Sequence, residues 1–131
     1  MGNNFAGHQN WGSFSVAAGA AITARSFVKW SSGAVIMTAA QGEDADGYVL
    51  EAVASGAIAD VIVTGIVPVR VKTAASFAQG DWLTPSATTD DGMCEEAASG
   101  DYKVGKILEA PSADDDHVMA VINCINGDIA A

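Results

Sequence analysis

The sequence predicts a mainly β protein: a small β-barrel or sandwich built from two similar β units, with an extended N-terminal arm and at most short helical turns. Three observations carry this expectation. Gly47-Tyr48-Val49-Leu50-Glu51-Ala52 returns as Gly105-Lys106-Ile107-Leu108-Glu109-Ala110, an offset of 58, and repetition at a fixed spacing is the mark of a duplicated structural unit. Apolar runs are short and are interrupted by Gly, Asp and Ser at spacings that suit strands and turns rather than helices. Half of the 131 residues are hydrophobic, but aromatics are 7%, so the expected core is thin and made mostly of aliphatic side chains.

The same correspondence extends to other segments. Val61-Ile62-Val63 aligns with Met119-Ala120-Val121 at an offset of 58, and Arg25-Ser26-Phe27-Val28 aligns with Gly80-Asp81-Trp82-Leu83 at an offset of 55. About three extra residues are therefore expected in the second copy, near Asp90-Asp91-Gly92. The chain reads as residues 1–15, an arm, and 16–131, a single β domain with pseudo-repeats over about 20–63 and 75–122.

Residues 1–15 are polar and Gly-rich, with Phe5, Trp11 and Phe14 as isolated aromatics and no apolar period of 2 or 3.6. Two readings fit, an arm that orders on a partner and a tail folded against its own barrel. The first makes Phe5, Trp11 and Phe14 contact anchors, because large aromatic side chains dominate interface energetics.

Beyond the arm, Phe27–Trp30, Ala34–Met37 and Tyr48–Val53 read as strands, separated by Ser31-Ser32-Gly33 and the acidic turn 42–47. Val61–Lys72 is the strongest β stretch, with Val67, Val69 and Val71 alternating with Pro68, Arg70 and Lys72. Pro68 has no N–H to give a ladder, which places it on an edge strand, a bulge or a crossing point. Pro68, Arg70 and Lys72 are thus a possible edge for self-association or partner contact. Further strands are expected at Asp81–Thr84, around Met93–Glu95, at Lys103–Leu108 and at Val118–Ile122, with a helical turn over Ala74–Gln79.

Sixteen acidic and six basic residues give a formal net charge of −10. Affinity for a phosphate backbone comes mainly from Lys and Arg, so nucleic acid is an unsuitable partner, and an anionic membrane surface is equally disfavoured. No apolar run approaches the roughly 20 residues of a membrane-spanning helix, and no export signal is read at the N-terminus. Cys94 and Cys124 lack Cys-x-x-Cys spacing, so a zinc site has little support; two buried free thiols are expected, with a disulfide as the alternative if their strands adjoin.

Chemistry finds little footing. Asp114-Asp115-Asp116-His117 lacks the spaced ligands and turn glycine of a calcium loop. His8 and His117 have no Ser or Cys partner that would complete a triad. A biotinyl- or lipoyl-carrier domain also has two similar halves, but neither Val71-Lys72-Thr73 nor Gly105-Lys106-Ile107 resembles the Met-Lys-Met hairpin of biotinyl carriers. No catalytic residue, metal or cofactor is expected, and the chain reads as a structural or binding protein rather than an enzyme.

The order of Thr-Ala-Arg-Ser-Phe-Val-Lys at 23–29, Gly-Tyr-Val-Leu-Glu-Ala at 47–52, Gly-Asp-Trp-Leu at 80–83, Val-Gly-Lys-Ile-Leu-Glu-Ala at 104–110 and a last Val-Met-Ala-Val-Ile strand resembles the capsid cement, or head decoration, proteins of tailed bacteriophages. The resemblance spans about residues 16–125, and the first half departs from it where Arg25-Ser26 stands in place of Gly-Asp. It implies a virion protein made in the host cytoplasm and added to the outer surface of the expanded head. There it would bridge subunits of the major capsid protein, often as a homotrimer and often through an N-terminal arm. A non-viral β-barrel module for binding or oligomerisation is the alternative.

Overall fold

The computed structural model describes residues 9–72, 77–86, 91–113, 117–125 and 129–130, with 9–11 as backbone. Among them nine strands form one antiparallel sheet and no helix occurs. The strands are β1 (Gln9–Ala17), β2 (Ser26–Ser31), β3 (Ala34–Met37), β4 (Gly47–Val49), β5 (Ile58–Arg70), β6 (Trp82–Pro85), β7 (Cys94–Glu96), β8 (Gly105–Ile107) and β9 (His117–Asn123). Along the sheet the order is β3-β2-β4-β5-β9-β8-β6-β7, with β1 on the other side of β5.

That order is one five-strand plan used twice, with β5 shared. β5 is 13 residues long, enough for its first half to close unit one and its second half to open unit two. In unit one Phe14 pairs with Val61 and Val16 with Ala59; in unit two Val67 pairs with Ala120 and Val69 with Val118. The end of β1 makes a parallel bridge to β3 at Ala18 and Val35, and the end of β5 makes the same bridge to β7 at Val71 and Cys94. Each unit therefore curls round on itself.

The register refines the sequence alignment in two places. Trp30 opposes Val35 and Pro85 opposes Cys94, so the connection between the second and third strands is four residues longer in unit two and the next connection is one shorter, which together make the three extra residues expected. Tyr48 opposes Ile62 and Lys106 opposes Val121, so β5 aligns with β9 at an offset of 59 rather than 58, because the loop before β9 has one more residue. The short form of the first connection is a two-residue hairpin in which Ser32 (φ 51°) and Gly33 (φ 81°) both take the left-handed conformation. Such a turn matches the natural strand twist.

The sequence expected an arm over 1–15, but from Gln9 onward this segment is the first strand of unit one. Its alternation Phe14-x-Val16-x-Ala18 is the counterpart of Val67-x-Val69-x-Val71. Trp11 and Val63 drop out of the β1–β5 ladder, which steps from Asn10–Gly65 to Gly12–Thr64 to Ser13–Ile62. This irregularity separates the two units. Before it, Ala59 and Val61 enter a small apolar cluster with Ala18, Ile22, Val28, Val35 and Val49. After it, Val67, Val69 and Val71 enter the larger cluster with Leu83, Cys94, Val104, Ile107, Ala120 and Ile122.

The recurrent glycine of the sequence repeat now has a cause. A Cβ on Gly47 would collide with Val61 Cγ1, and one on Gly105 would collide with the carbonyl oxygen of Val121. At Gly105 the neighbouring backbone leaves no room for a side chain, and at Gly47 the obstacle is the Val61 methyl group. Of the helical turn expected over Ala74–Gln79, residues 74–76 lie outside the described residues. Gln79 and Gly80 form a turn closed by Asp81 N donating to the Ala78 carbonyl, with the Asp81 carboxylate accepting from Ala78 N at 2.7 Å.

Candidate functional site

Two cross-strand rows occupy the same place in the two units. In unit one Phe27, Tyr48 and Ile62 stand side by side on β2, β4 and β5. In unit two the row is Trp82, Lys106 and Val121 on β6, β8 and β9. The first row is buried and belongs to the large cluster of unit two, where Phe27 and Tyr48 meet edge to face at 5.6 Å. Tyr48 also donates its hydroxyl to the Pro68 carbonyl, and burial pushes its phenol well above the ordinary range.

The second row is open. Trp82 is 44% exposed, and it lines a groove of about 390 Å³ with Lys103, Lys106, Leu108, Val121 and Asn123. Lys103 Nζ lies 4.3 Å and Lys106 Nζ 4.5 Å from the centre of the indole ring, within the reach of cation–π attraction. The groove thus combines a large apolar ring with two ammonium groups, in a chain whose net charge is −10. This is binding chemistry: ring contact, apolar burial and attraction for an acidic group. Sequence reasoning treated Trp82 and Lys106 as strand residues. The signal available was that the repeat puts Trp where Phe27 stands and Lys where Tyr48 stands.

A second groove of about 380 Å³ lies on unit one, lined by Leu50, Glu51, Val53, Ile58, Asp60 and Ile62. Its charges are acidic, and Ile58 is 66% exposed. Ser15 Oγ donates to Asp60 Oδ1 at 2.9 Å.

Of the expected anchors, Phe5 lies outside the described residues, as does the side chain of Trp11. Phe14 stacks on Trp30 with ring centres 5.3 Å apart and 12° between planes, and packs on the small cluster. Pro68 lies in β5 opposite Met119. The Met119 N–H and carbonyl are directed to Glu109 and Leu108, so this is a position where the β5–β9 ladder needs no hydrogen bond from Pro68. Arg70 donates to the Arg25 carbonyl, Ser26 Oγ and the Asp91 carbonyl, which ties β5 to β2 and the turn before β7. Lys72 gives its backbone N–H to the Cys94 carbonyl. Pro68, through the Tyr48 hydroxyl, and Arg70 link the two units within one chain, whereas Lys72 ties the end of β5 to β7 within unit two.

Among the described residues no group of three or more His, Cys, Asp or Glu side chains is placed to hold a metal ion, and Asp114–Asp116 lie outside them. His117 Nδ1 accepts from Arg25 at 2.7 Å. Cys94 and Cys124 are free and buried. Burial raises both thiols, Cys124 to about 12, so neither is a ready nucleophile near neutral pH.

No protein-family model and no curated protein matches the chain. A solved structure does: the head fiber gp8.5 N base of bacteriophage phi29, with TM-score 0.63 and 22% identity over 85% of this chain and 92% of that one. What the two share is the fold. The match runs through both units, so the tandem β plan has a counterpart in a phage head component.

Proposed function

We propose that this chain is a structural, non-enzymatic protein of a tailed-phage head, and that it decorates and stabilises the outer surface of the expanded capsid by bridging major capsid protein subunits, as a homotrimer. The observation that carries the reading is the fold likeness to a phage head-fiber base across 85% of the chain. It joins the order of repeated motifs that resembles head decoration proteins. An acidic protein of this kind is kept off DNA, and many equivalent weak contacts on a symmetric shell add up to firm attachment through multivalency.

Capsid contact is assigned to Phe5 and Trp11, with Phe14 in a double role because its ring also closes unit one. The test is co-sedimentation of the purified protein with expanded heads that lack it, followed by imaging. Saturable binding with regular protrusions is the expected result. A folded protein that fails to bind its cognate expanded heads would reject the decoration role. Replacing Phe5 and Trp11 by Ala is expected to abolish binding and leave the unfolding midpoint unchanged.

A further inference from the structure

We propose that the Trp82–Lys106–Val121 row is a docking face for a second copy of this chain, which meets it through the acidic groove of that copy's unit one. Ile58 of the second copy packs against the Trp82 ring, and Glu51 and Asp60 face Lys103 and Lys106. The inference deepens the self-association in the proposed function and rests on that part of it.

The first argument is internal precedent. The equivalent row of unit one, Phe27–Tyr48–Ile62, is the face through which that unit packs on another unit of the same plan. Unit two presents the same positions partly exposed, with the Lys103 and Lys106 ammonium groups over the Trp82 ring, and they line an aromatic groove. The second argument is charge. Two of the chain's six basic residues flank Trp82, and the groove on unit one carries Glu51 and Asp60. In a chain of net charge −10, a basic aromatic groove on unit two and an acidic groove on unit one are matched to each other across two copies. The third is shape. β5 begins at Ile58, whereas β4 pairs with it only at Val61 and Ile62. Ile58 and Asp60, alternating with the buried Ala59, therefore project past the end of β4 on one side of the strand. A carboxylate has lone pairs beyond the one used by Ser15, so Asp60 serves both contacts.

The contact joins two different surfaces, so it is heterologous and builds a ring when the rotation between copies closes. That directionality gives a sharp test. The full chain, K103E/K106E, E51K/D60K and an equimolar mixture of the two variants are compared by sedimentation across protein concentration and salt. Each variant alone opposes like charges at every contact, and association is expected to weaken about tenfold or more. In the mixture each contact between unlike variants is complementary, so association recovers above that of either variant alone, and only in part for a three-copy ring, where one contact must still join like variants. W82A, at a half-exposed position, is expected to weaken association with at most a small shift in the unfolding midpoint. A chain that stays monomeric at all concentrations, variants that assemble as the unmutated chain does, or a mixture that associates no more strongly than either variant alone would each overturn the proposal. Head binding is scored separately: loss of capsid attachment with intact charge-swap recovery removes the decoration role and leaves this interface standing.

Discussion

Phe27–Tyr48 and Trp82–Lys106 occupy equivalent positions of one repeated plan and meet opposite fates. The difference comes from what covers each unit. Unit one is apolar on both faces of its middle strands: Phe27 and Tyr48 enter the large cluster, while Val28 and Val49 enter the small one. Its strands are accordingly buried without alternation, at Ser26-Phe27-Val28 and at Gly47-Tyr48-Val49. In unit two β8 alternates, with Gly105 and Ile107 buried and Lys106 exposed between them, and β6 opens on the exposed Trp82. A duplicated unit thus keeps its backbone pairing while one copy spends its outer row on packing and the other holds it available for contact.

The comparison predicts opposite costs for the same substitution. Phe27→Ala removes a fully buried ring and its edge-to-face contact with Tyr48, which is expected to cost about 3–5 kcal/mol. Trp82→Ala removes a half-exposed ring and its two lysine contacts, expected to cost about 1 kcal/mol or less. Denaturant unfolding of the two variants measures both. Equal costs would mean that the unit-two row is covered in the free chain.

The glycines sharpen the same contrast. At Gly105 a methyl group would press on backbone, the Val121 carbonyl, whereas at Gly47 it would press first on a valine methyl group. A side chain can shift and a paired strand cannot do so without breaking its ladder. Gly105→Ala is therefore expected to cost about 1–3 kcal/mol and Gly47→Ala less, read from unfolding midpoints. The reverse order would place the tighter strand approach in unit one.

Third in size is the pair that closes unit one. Phe14 and Trp30 stack there, while their counterparts in unit two, Val67 and Pro85, are smaller, and Val67 shares a cluster with Phe27 and Tyr48 of unit one. Unit one fills its own end, and unit two is filled by its neighbour. Phe14→Ala is expected to lose the stack, about 0.5–1.5 kcal/mol beyond the area buried. An unchanged midpoint would return Phe14 to a purely external role.

Much of this plan was legible in the residues. Gly-x-x-Leu-Glu-Ala marks β4 and β8 because a close neighbour crowds the glycine position in both. The edges of β2, β3 and β9 follow from short β-branched and aromatic runs between turn residues. The first strand was hidden because Ser13, Ser15 and Gly12 dilute its apolar alternation, and because its counterpart is not a separate strand but the second half of β5. A single long run, Val61–Lys72, reads as one strand whether it serves one unit or two. The Trp82 groove was out of reach for a different reason: a Trp on a strand is core-like by composition, and exposure depends on whether another unit covers it.

The smallest effect concerns the turn before β4, which both units build in the same way. Ala40 N donates to the Glu43 carboxylate at 2.7 Å, and in unit two Ala98 N donates to the Asp101 carboxylate at 2.9 Å. Unit one adds a second donor, Ala39 N at 2.5 Å, and an ion pair with Lys29 at 2.6 Å. Partial burial alone would raise the Glu43 carboxyl, but the hydrogen bonds from Lys29, Ala40 and Ala39 and the lysine charge outweigh it and hold it below its ordinary value. A carboxyl lowered in the folded state adds stability above its unfolded pKa and loses it as pH falls through the folded one. The unmutated chain should therefore lose stability on the acid side, and Glu43→Gln should flatten that limb while costing a little at neutral pH. Urea midpoints from pH 7 to pH 3 read the difference between the two curves. An acid limb identical in E43Q would show that the extra contacts of unit one contribute nothing, leaving the two turns energetically as alike as their shared hydrogen bond makes them look.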